Sequence, residues 1–315
     1  MILHPEYRRQ LGSLLDETSR TFALAIPMLP EPRCTEVMEA YLLFRIADTF
    51  EDATTWPVPE RLAALTQLVA ILDDPRESVI RDCARRWRAG EPIRHDGYLR
   101  LLEEVPLVVH ALRALDPEAA SIIGSHTVRT CRGMAAFLRR TGDDGVLRLG
   151  SLQELRDYCY VVAGIVGEML TELFLLEGDH VGSIATTLRT RARRFGEALQ
   201  LVNVLRDSAT DEREGRALVP DVPRAQLYQL ARADLWQAAE YTLALQDAGA
   251  HPGLVAFNAL PVLLASATLD VVEEKGPGSK ISRARVAAII ARMKADLMLG
   301  RPVVRTRRLT PTPSP

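Results

Sequence analysis

Apolar residues recur every three or four positions through most of this chain, the spacing of helices that each bury one face. The pattern predicts helices around 34–52, 60–74, 99–115, 118–140, 151–177, 184–211, 224–248, 254–274 and 282–299. Pro and Gly fall in the gaps, at Pro57 and Pro59, Gly90 to Pro92, Gly142 to Gly145, Pro220 to Pro223 and Gly276 to Gly278. Asp73-Asp74-Pro75 and Asp116-Pro117 read as helix ends. Period-two alternation with hairpin signals is scarce. No short repeat or composition break marks a linker, so residues 1–300 read as one all-α domain. Residues 301–315 are basic, then rich in Pro and Thr, the composition of a disordered tail.

Two of these helices carry a polar stripe on an otherwise apolar surface. In the first, Tyr41, Arg45, Asp48 and Asp52 share a face, with Glu51 beside them and Leu42, Leu43, Phe44, Ile46, Ala47 and Phe50 elsewhere. In the second, Gln200, Asn203, Asp207 and Asp211 line up among Leu201, Val202, Val204 and Leu205. A solvated face with an internal Arg–Asp pair produces such a stripe. A buried helix whose stripe lines a cavity also produces it, and the apolar flanks favour that reading. Paired carboxylates suit Mg²⁺, a hard cation that takes oxygen ligands and bridges to phosphate oxygens. Arg45, Arg206, Arg213 and Arg216 stand in or next to the two motifs, where a departing diphosphate needs positive charge.

Composition narrows the alternatives. Hydrophobic residues make up 47% and charged residues 25%, as in an ordinary soluble globular protein. The formal net charge of -2 offers no global attraction for nucleic acid or an anionic membrane, so an anionic substrate must be held by local charge or metal. Cys34, Cys83, Cys131 and Cys159 are scattered without a CxxC pair and read as reduced thiols of a cytoplasmic protein. None of the six histidines pairs at metal-ligand spacing. The N-terminus has no apolar core of a signal peptide, and no apolar run reads as long enough to span a bilayer. No G-x-G-x-x-G opens a helix after a strand, so a Rossmann-type dinucleotide domain is not expected. Lys275-Gly276-Pro277-Gly278-Ser279-Lys280 reads as a basic loop, either plain surface or near a cofactor phosphate.

These motifs resemble the squalene/phytoene synthase family, in order, from about residue 15 to about residue 295. Ser19-Arg20-Thr21-Phe22 is similar to the family's S-R-[ST]-F segment. Tyr41 to Asp52 resembles its first aspartate-rich motif in the D-x-x-E-D form. Tyr158 to Gly167 resembles Y-C-x-x-V-A-G-x-V-G. Gln200 to Asp211, with Gly215-Arg216 and Pro220, resembles N-x-x-R-D-x-x-x-D and its trailing G-R-x-x-x-P. Phe257 to Pro261 resembles a late pocket-closing helix.

The resemblance implies a single-domain helical bundle around a central cavity, with the two acidic helices facing across its mouth. It implies that Asp48, Asp52, Asp207 and Asp211 hold Mg²⁺, with Glu51 in the same cluster. Ser19, Arg20, Arg45, Arg206 and Arg216 would contact diphosphate oxygens, while Gln200 and Asn203 orient the second cluster. Tyr158 would assist proton removal or cation stabilisation, with Tyr41 also in the catalytic set. Phe22, Val162, Gly164 and Phe257 would line the substrate. A core tyrosine with a satisfied hydroxyl is the other reading of Tyr158. Ala163, Gly164 and Gly167 leave room for an isoprenoid chain or allow close helix contact.

The implied reaction joins two farnesyl diphosphates through presqualene diphosphate, with NADPH supplying hydride in the second half to give squalene. The form of Asp48-Thr49-Phe50-Glu51-Asp52 favours that product over phytoene from geranylgeranyl diphosphate. An enzyme that stops at presqualene diphosphate or hydroxysqualene, and a non-catalytic relative, remain as alternatives. The C-terminal anchor of eukaryotic relatives is not seen. An insoluble product implies peripheral membrane contact, to which Arg301, Arg305, Arg307 and Arg308 could contribute. The oligomeric state is not legible.

Overall fold

Fifteen α-helices, a 3₁₀ turn (Ile26–Met28), a π-helical turn and two strands of two residues each make up the regular structure in the computed structural model, which describes residues 5–53 and 55–305. The chain is all-α, as the periodicity predicts. It divides into two helical units, residues 1–27 with 31–145 and residues 28–30 with 146–315.

The first unit holds α1 (Pro5–Thr18), α2 (Phe22–Ala25), α3 (Arg33–Glu51), α4 (Val58–Asp73), α5 (Glu77–Ala89), α6 (Asp96–Glu103), α7 (Val105–Ala114) and α8 (Pro117–Leu138). Helix α3 is its axis and packs on α1, α4, α6, α7 and α8. The continuous helix expected over 99–115 is two helices. Pro106 cannot donate to the carbonyl four residues back, and the helix breaks at Glu104. Helix α5, absent from the expected set, buries Ile80, Cys83, Ala84 and Trp87 at helical spacing, a stripe hidden in sequence by its arginines.

The second unit holds β1 (Leu147–Arg148), α9 (Leu152–Cys159), a π-helical turn (Tyr160–Gly164), α10 (Ile165–Leu175), α11 (Asp179–Gly182), α12 (Ala185–Arg213), β2 (Arg216–Ala217), α13 (Arg224–Asp247), α14 (Pro252–Lys275) and α15 (Arg283–Met298). Side-chain caps start several helices: Asp116 for α8, Ser151 for α9 and Ser282 for α15. Helix α12 is the axis here and packs on the π-turn, α10, α13 and α14. The first residues of the expected tail, 301–305, are described. Val303 and Val304 are buried, and Gln246 bonds both the Arg301 carbonyl and the Val303 N–H. The rest of that tail, with Arg307 and Arg308, lies outside the described residues.

Leu152–Leu175 and Pro252–Lys275 are, contrary to expectation, long and apolar enough to cross a membrane by length and composition. Their apolar windows are 56% and 67% buried within the protein, which is how core helices behave. The four cysteines are buried and unbridged.

One core residue breaks the usual rule. Glu39 on α3 is fully buried, and neither of its carboxyl oxygens has a hydrogen-bond partner among the described residues. Burial pushes its pKa well above the ordinary 4.5, so it sits in the core as a neutral acid. The folded state thus keeps a proton that the unfolded chain releases. That contribution is complete below the unfolded pKa and is lost as pH rises, at about 1.4 kcal/mol per pH unit until the folded pKa is reached. Glu39→Met is expected to raise Tm at about pH 8 and to flatten the alkaline side of the Tm–pH profile. Scanning calorimetry of both proteins across pH checks this; parallel profiles would refute it.

Candidate active site

In the first unit, the acidic stripe of α3 is one connected cluster. Arg45 Nη1 lies 3.3 Å from Asp48 Oδ2, and Arg45 Nε donates to the Tyr41 hydroxyl at 3.3 Å. Tyr41 donates to the Thr18 carbonyl at 2.8 Å, and its ring lies 5.6 Å from Phe22. The Ser19–Phe22 segment therefore meets α3 through Tyr41. Ser19 Oγ accepts from Phe22 N at 2.9 Å, while Arg20 is exposed.

Sequence reading missed Tyr98 of α6. Its ring lies against Arg45, 5.3 Å from the guanidinium carbon, and stacks on His95, which caps α6. Burial alone would lower the Arg45 pKa, but Asp48, Tyr41 and Tyr98 outweigh it and hold the group charged. The Asp48 carboxyl is pushed up to about 6 by burial; Arg45 opposes that rise and Asp52 adds to it. A carboxylate so destabilised gains most from a cation beside it. Asp48 and Asp52 are partly exposed, whereas Glu51 is buried. Arg61 caps the end of α3 by donating to the Phe50 and Glu51 carbonyls.

In the second unit, Arg206 grips Asp207 with two hydrogen bonds, Nε to Oδ1 at 2.8 Å and Nη2 to Oδ2. Arg216 Nη2 bonds Asp211 at 2.9 Å and Glu214 at 2.8 Å. That reach depends on the chain reversal after α12. Gly215 takes a φ of +81°, and Arg216–Ala217 pairs in parallel with Leu147–Arg148. Arg213 instead turns back to the Ala209 carbonyl. Gln200 is partly exposed and Asn203 exposed on the same stripe. The basic loop is docked beside this motif, with Gly278 N donating to the Arg206 carbonyl at 2.6 Å.

The Tyr158–Gly167 signature lies one to two turns earlier along α12. Tyr158 is buried at the end of α9, and Val162 is partly exposed on the π-turn, a distortion frequent at functional sites. A Cβ on Gly167 would come within 2.1 Å of the Ala192 carbonyl, so this glycine serves close helix contact. Gly164 faces Tyr160 and Glu197. Phe257 on α14 is buried, edge-on to Phe174 at 6.0 Å.

An ion network that no local motif announced joins α9, α12 and α13. Arg156 bonds both oxygens of Asp234 at 3.2 Å and reaches Glu197 at 3.2 Å. Arg193 and Arg194 also hold Glu197. The Asp234 pKa is pushed up to about 7 by burial, against Arg194 and Arg193 and with Glu197 adding to the rise. The network fixes the helix of Tyr158 against the helix of the second motif, and removing one partner of such a pair is costly.

Each i, i+4 aspartate pair, Asp48 with Asp52 and Asp207 with Asp211, suits a hard cation and has a guanidinium neighbour. Among the described residues, no three carboxylate, histidine or cysteine side chains form a ready-made metal group. Mg²⁺ commonly takes one or two carboxylates plus water and substrate phosphate, so paired aspartates fit it.

Residues 15–222 match the squalene/phytoene synthase family. The chain belongs to it. Among curated members, the squalene synthase BSS of Botryococcus braunii is 33% identical over 201 residues, covering 64% of this chain and 40% of that protein. The squalene synthase of Bos taurus is 31% identical over 209 residues, covering 65% of this chain and 45% of that protein. The chain thus spans less than half the length of these two relatives. The solved complex of TcSQS with the ligand BPH1237 superposes with a TM-score of 0.75 at 26% identity, covering 94% of this chain and 89% of that one.

Proposed function

We propose that this protein condenses two farnesyl diphosphates head to head, through presqualene diphosphate, to squalene. The observation that carries the reading is that both family motifs present an i, i+4 aspartate pair in contact with arginine. The relatives described above are squalene synthases, which supports the substrate.

Asp48, Asp52, Asp207 and Asp211 would hold Mg²⁺, with Glu51 backing the first pair from its buried position. Bound there, the metal neutralises charge on the departing diphosphate. Arg45, Arg206 and Arg216 donate to the diphosphate oxygens, exchanging an aspartate partner for a phosphate one, with Ser19 and Arg20 assisting. Gln200 and Asn203 orient the second pair. Loss of the allylic diphosphate leaves a cation that the double bond of the second substrate attacks. The proton shed as the cyclopropane closes passes to the departed diphosphate, relayed by the buried Tyr158 hydroxyl, which accepts it while donating its own, and Tyr41 keeps Arg45 in place. Phe22, Val162, Gly164 and Phe257 exclude the water that would trap the cations as alcohols, and the Phe257 ring offers a π face to them. Lys275 and Lys280 of the loop docked on Arg206 would receive the phosphate of NADPH, which when bound would provide hydride for the second half. The reaction is placed in the cytoplasm, with the hydrocarbon passed to a bilayer.

Incubation with farnesyl diphosphate and Mg²⁺ is expected to give presqualene diphosphate or derived alcohols without NADPH, and squalene with it. Chromatography with mass spectrometry reads the products. Faster turnover of geranylgeranyl diphosphate, indifferent to NADPH, would make it a phytoene synthase. Presqualene diphosphate or hydroxysqualene in both conditions would place it in a divided pathway. No consumption of either substrate would mean a non-catalytic relative.

A further inference from the structure

Helix α15 packs one face on α14 through Met293, which is buried, and Ile289 and Ile290, which are half-buried. Its opposite face should be polar if it met only water. Instead Ala284, Ala288, Ala291, Ala295 and Met298 follow one another at alternating spacings of four and three, forming a single stripe without a charge that is exposed except at the half-buried Ala295. Met298 is 81% exposed and Leu299, next to it, 61%. They are two of only four large hydrophobic residues exposed among the described residues.

Cations border this stripe on both sides. Arg283 and Lys294 lie along one edge, Arg285 and Arg292 along the other, and all four are exposed. Arg301 and Arg305 extend the positive charge past the end of the helix. Residues 283–305 carry six cations against one carboxylate, Asp296, which is buried and lies 3.6 Å from Arg292. This segment is strongly positive in a chain whose net charge is -2.

We infer that the outward face of α15 is a docking surface for an anionic lipid bilayer. An apolar stripe with basic edges is what a helix lying in a membrane interface presents: the stripe enters the acyl boundary and the cations meet headgroup phosphates. Charge complementarity selects this occupant. A second copy packed on the same face would set arginine edge against arginine edge, whereas an anionic surface neutralises both edges together. The paired features matter because one weak anchor gives only marginal binding and two give a stable one. The surface stands apart from the catalytic reading, since binding is measured without substrate.

The test is co-sedimentation of the full chain with vesicles of phosphatidylcholine alone and of phosphatidylcholine mixed with phosphatidylserine. The wild-type protein is expected to bind the mixed vesicles at least about tenfold more tightly, and to be released by salt. Met298→Ser with Leu299→Ser, and separately Arg283→Gln, Arg285→Gln, Arg292→Gln and Lys294→Gln together, should each weaken that binding at least about tenfold. Arg81→Gln with Arg85→Gln on α5 should leave it unchanged. Circular dichroism melting shows that the variants remain folded. Failure to bind either vesicle would overturn the inference, as would binding that survives both α15 variants. So would a concentration-dependent dimer that Met298→Ser abolishes, which would make a second copy the occupant.

Discussion

Asp48→Asn and Asp207→Asn are each expected to slow turnover of farnesyl diphosphate at least about a hundredfold, with the helical fold retained. Removing one preorganised charge-stabilising group from a reaction centre costs about 10²–10³ in rate. Both side chains are partly exposed, and neither is a core residue. Asparagine keeps the shape and loses the charge, so Arg45 and Arg206 each lose an anionic partner without a cavity forming. The rate should therefore fall far more than the stability. Steady-state kinetics with added Mg²⁺, alongside thermal melts, separates the two effects. If turnover in either variant stays near wild type, that aspartate does not hold the metal. A melt shifted as far as the rate would make the role structural.

The largest effect on stability is expected at Gly196. A Cβ there would stand 1.9 Å from the Ala163 carbonyl oxygen, 2.5 Å from its carbon and 3.0 Å from Gly164 Cα. All three atoms are backbone, so no side chain can rotate away. Gly196→Ala must push α12 off the π-turn, which costs about 3 kcal/mol or more as an overpacking strain. The corresponding fall in Tm is roughly 5 °C or more for a chain of this size. Gly124→Ala is the control. Gly124 lies inside α8 with nothing within 4 Å of an added Cβ, so alanine should stabilise it by up to about 1 kcal/mol through helix propensity. Differential scanning calorimetry of the two variants reads both signs; a Gly196→Ala protein melting with wild type would mean the helices are less closely packed than these distances require.

Both effects concern residues whose visibility in the sequence differs. Asp48 and Asp207 declare themselves, because a carboxylate repeated after four residues on an apolar helix is a local pattern. Gly196 does not, because its neighbour is a carbonyl on another helix. The same split runs through the site. Tyr41, Arg45, Asp48 and Asp52 are one stripe in sequence and one cluster in space. Tyr98, which also lies against Arg45, comes from α6 and follows no spacing rule. Arg216 is part of a recognisable motif, but its hold on Asp211 depends on a turn at Gly215 and two strand residues that no alternation predicts.

The all-α class, most helix positions, both aspartate pairs and the family were determined by the sequence alone. All rest on periods of three and four residues or on short motifs, which the backbone geometry of a helix turns directly into a shared face. The tertiary structure decided the burial of Val303, Val304 and Glu39 and the Arg156–Asp234 contact across 78 positions. Those outcomes depend on which helix lies against which, a choice made by the packing of many side chains at once and written in no single stretch of chain.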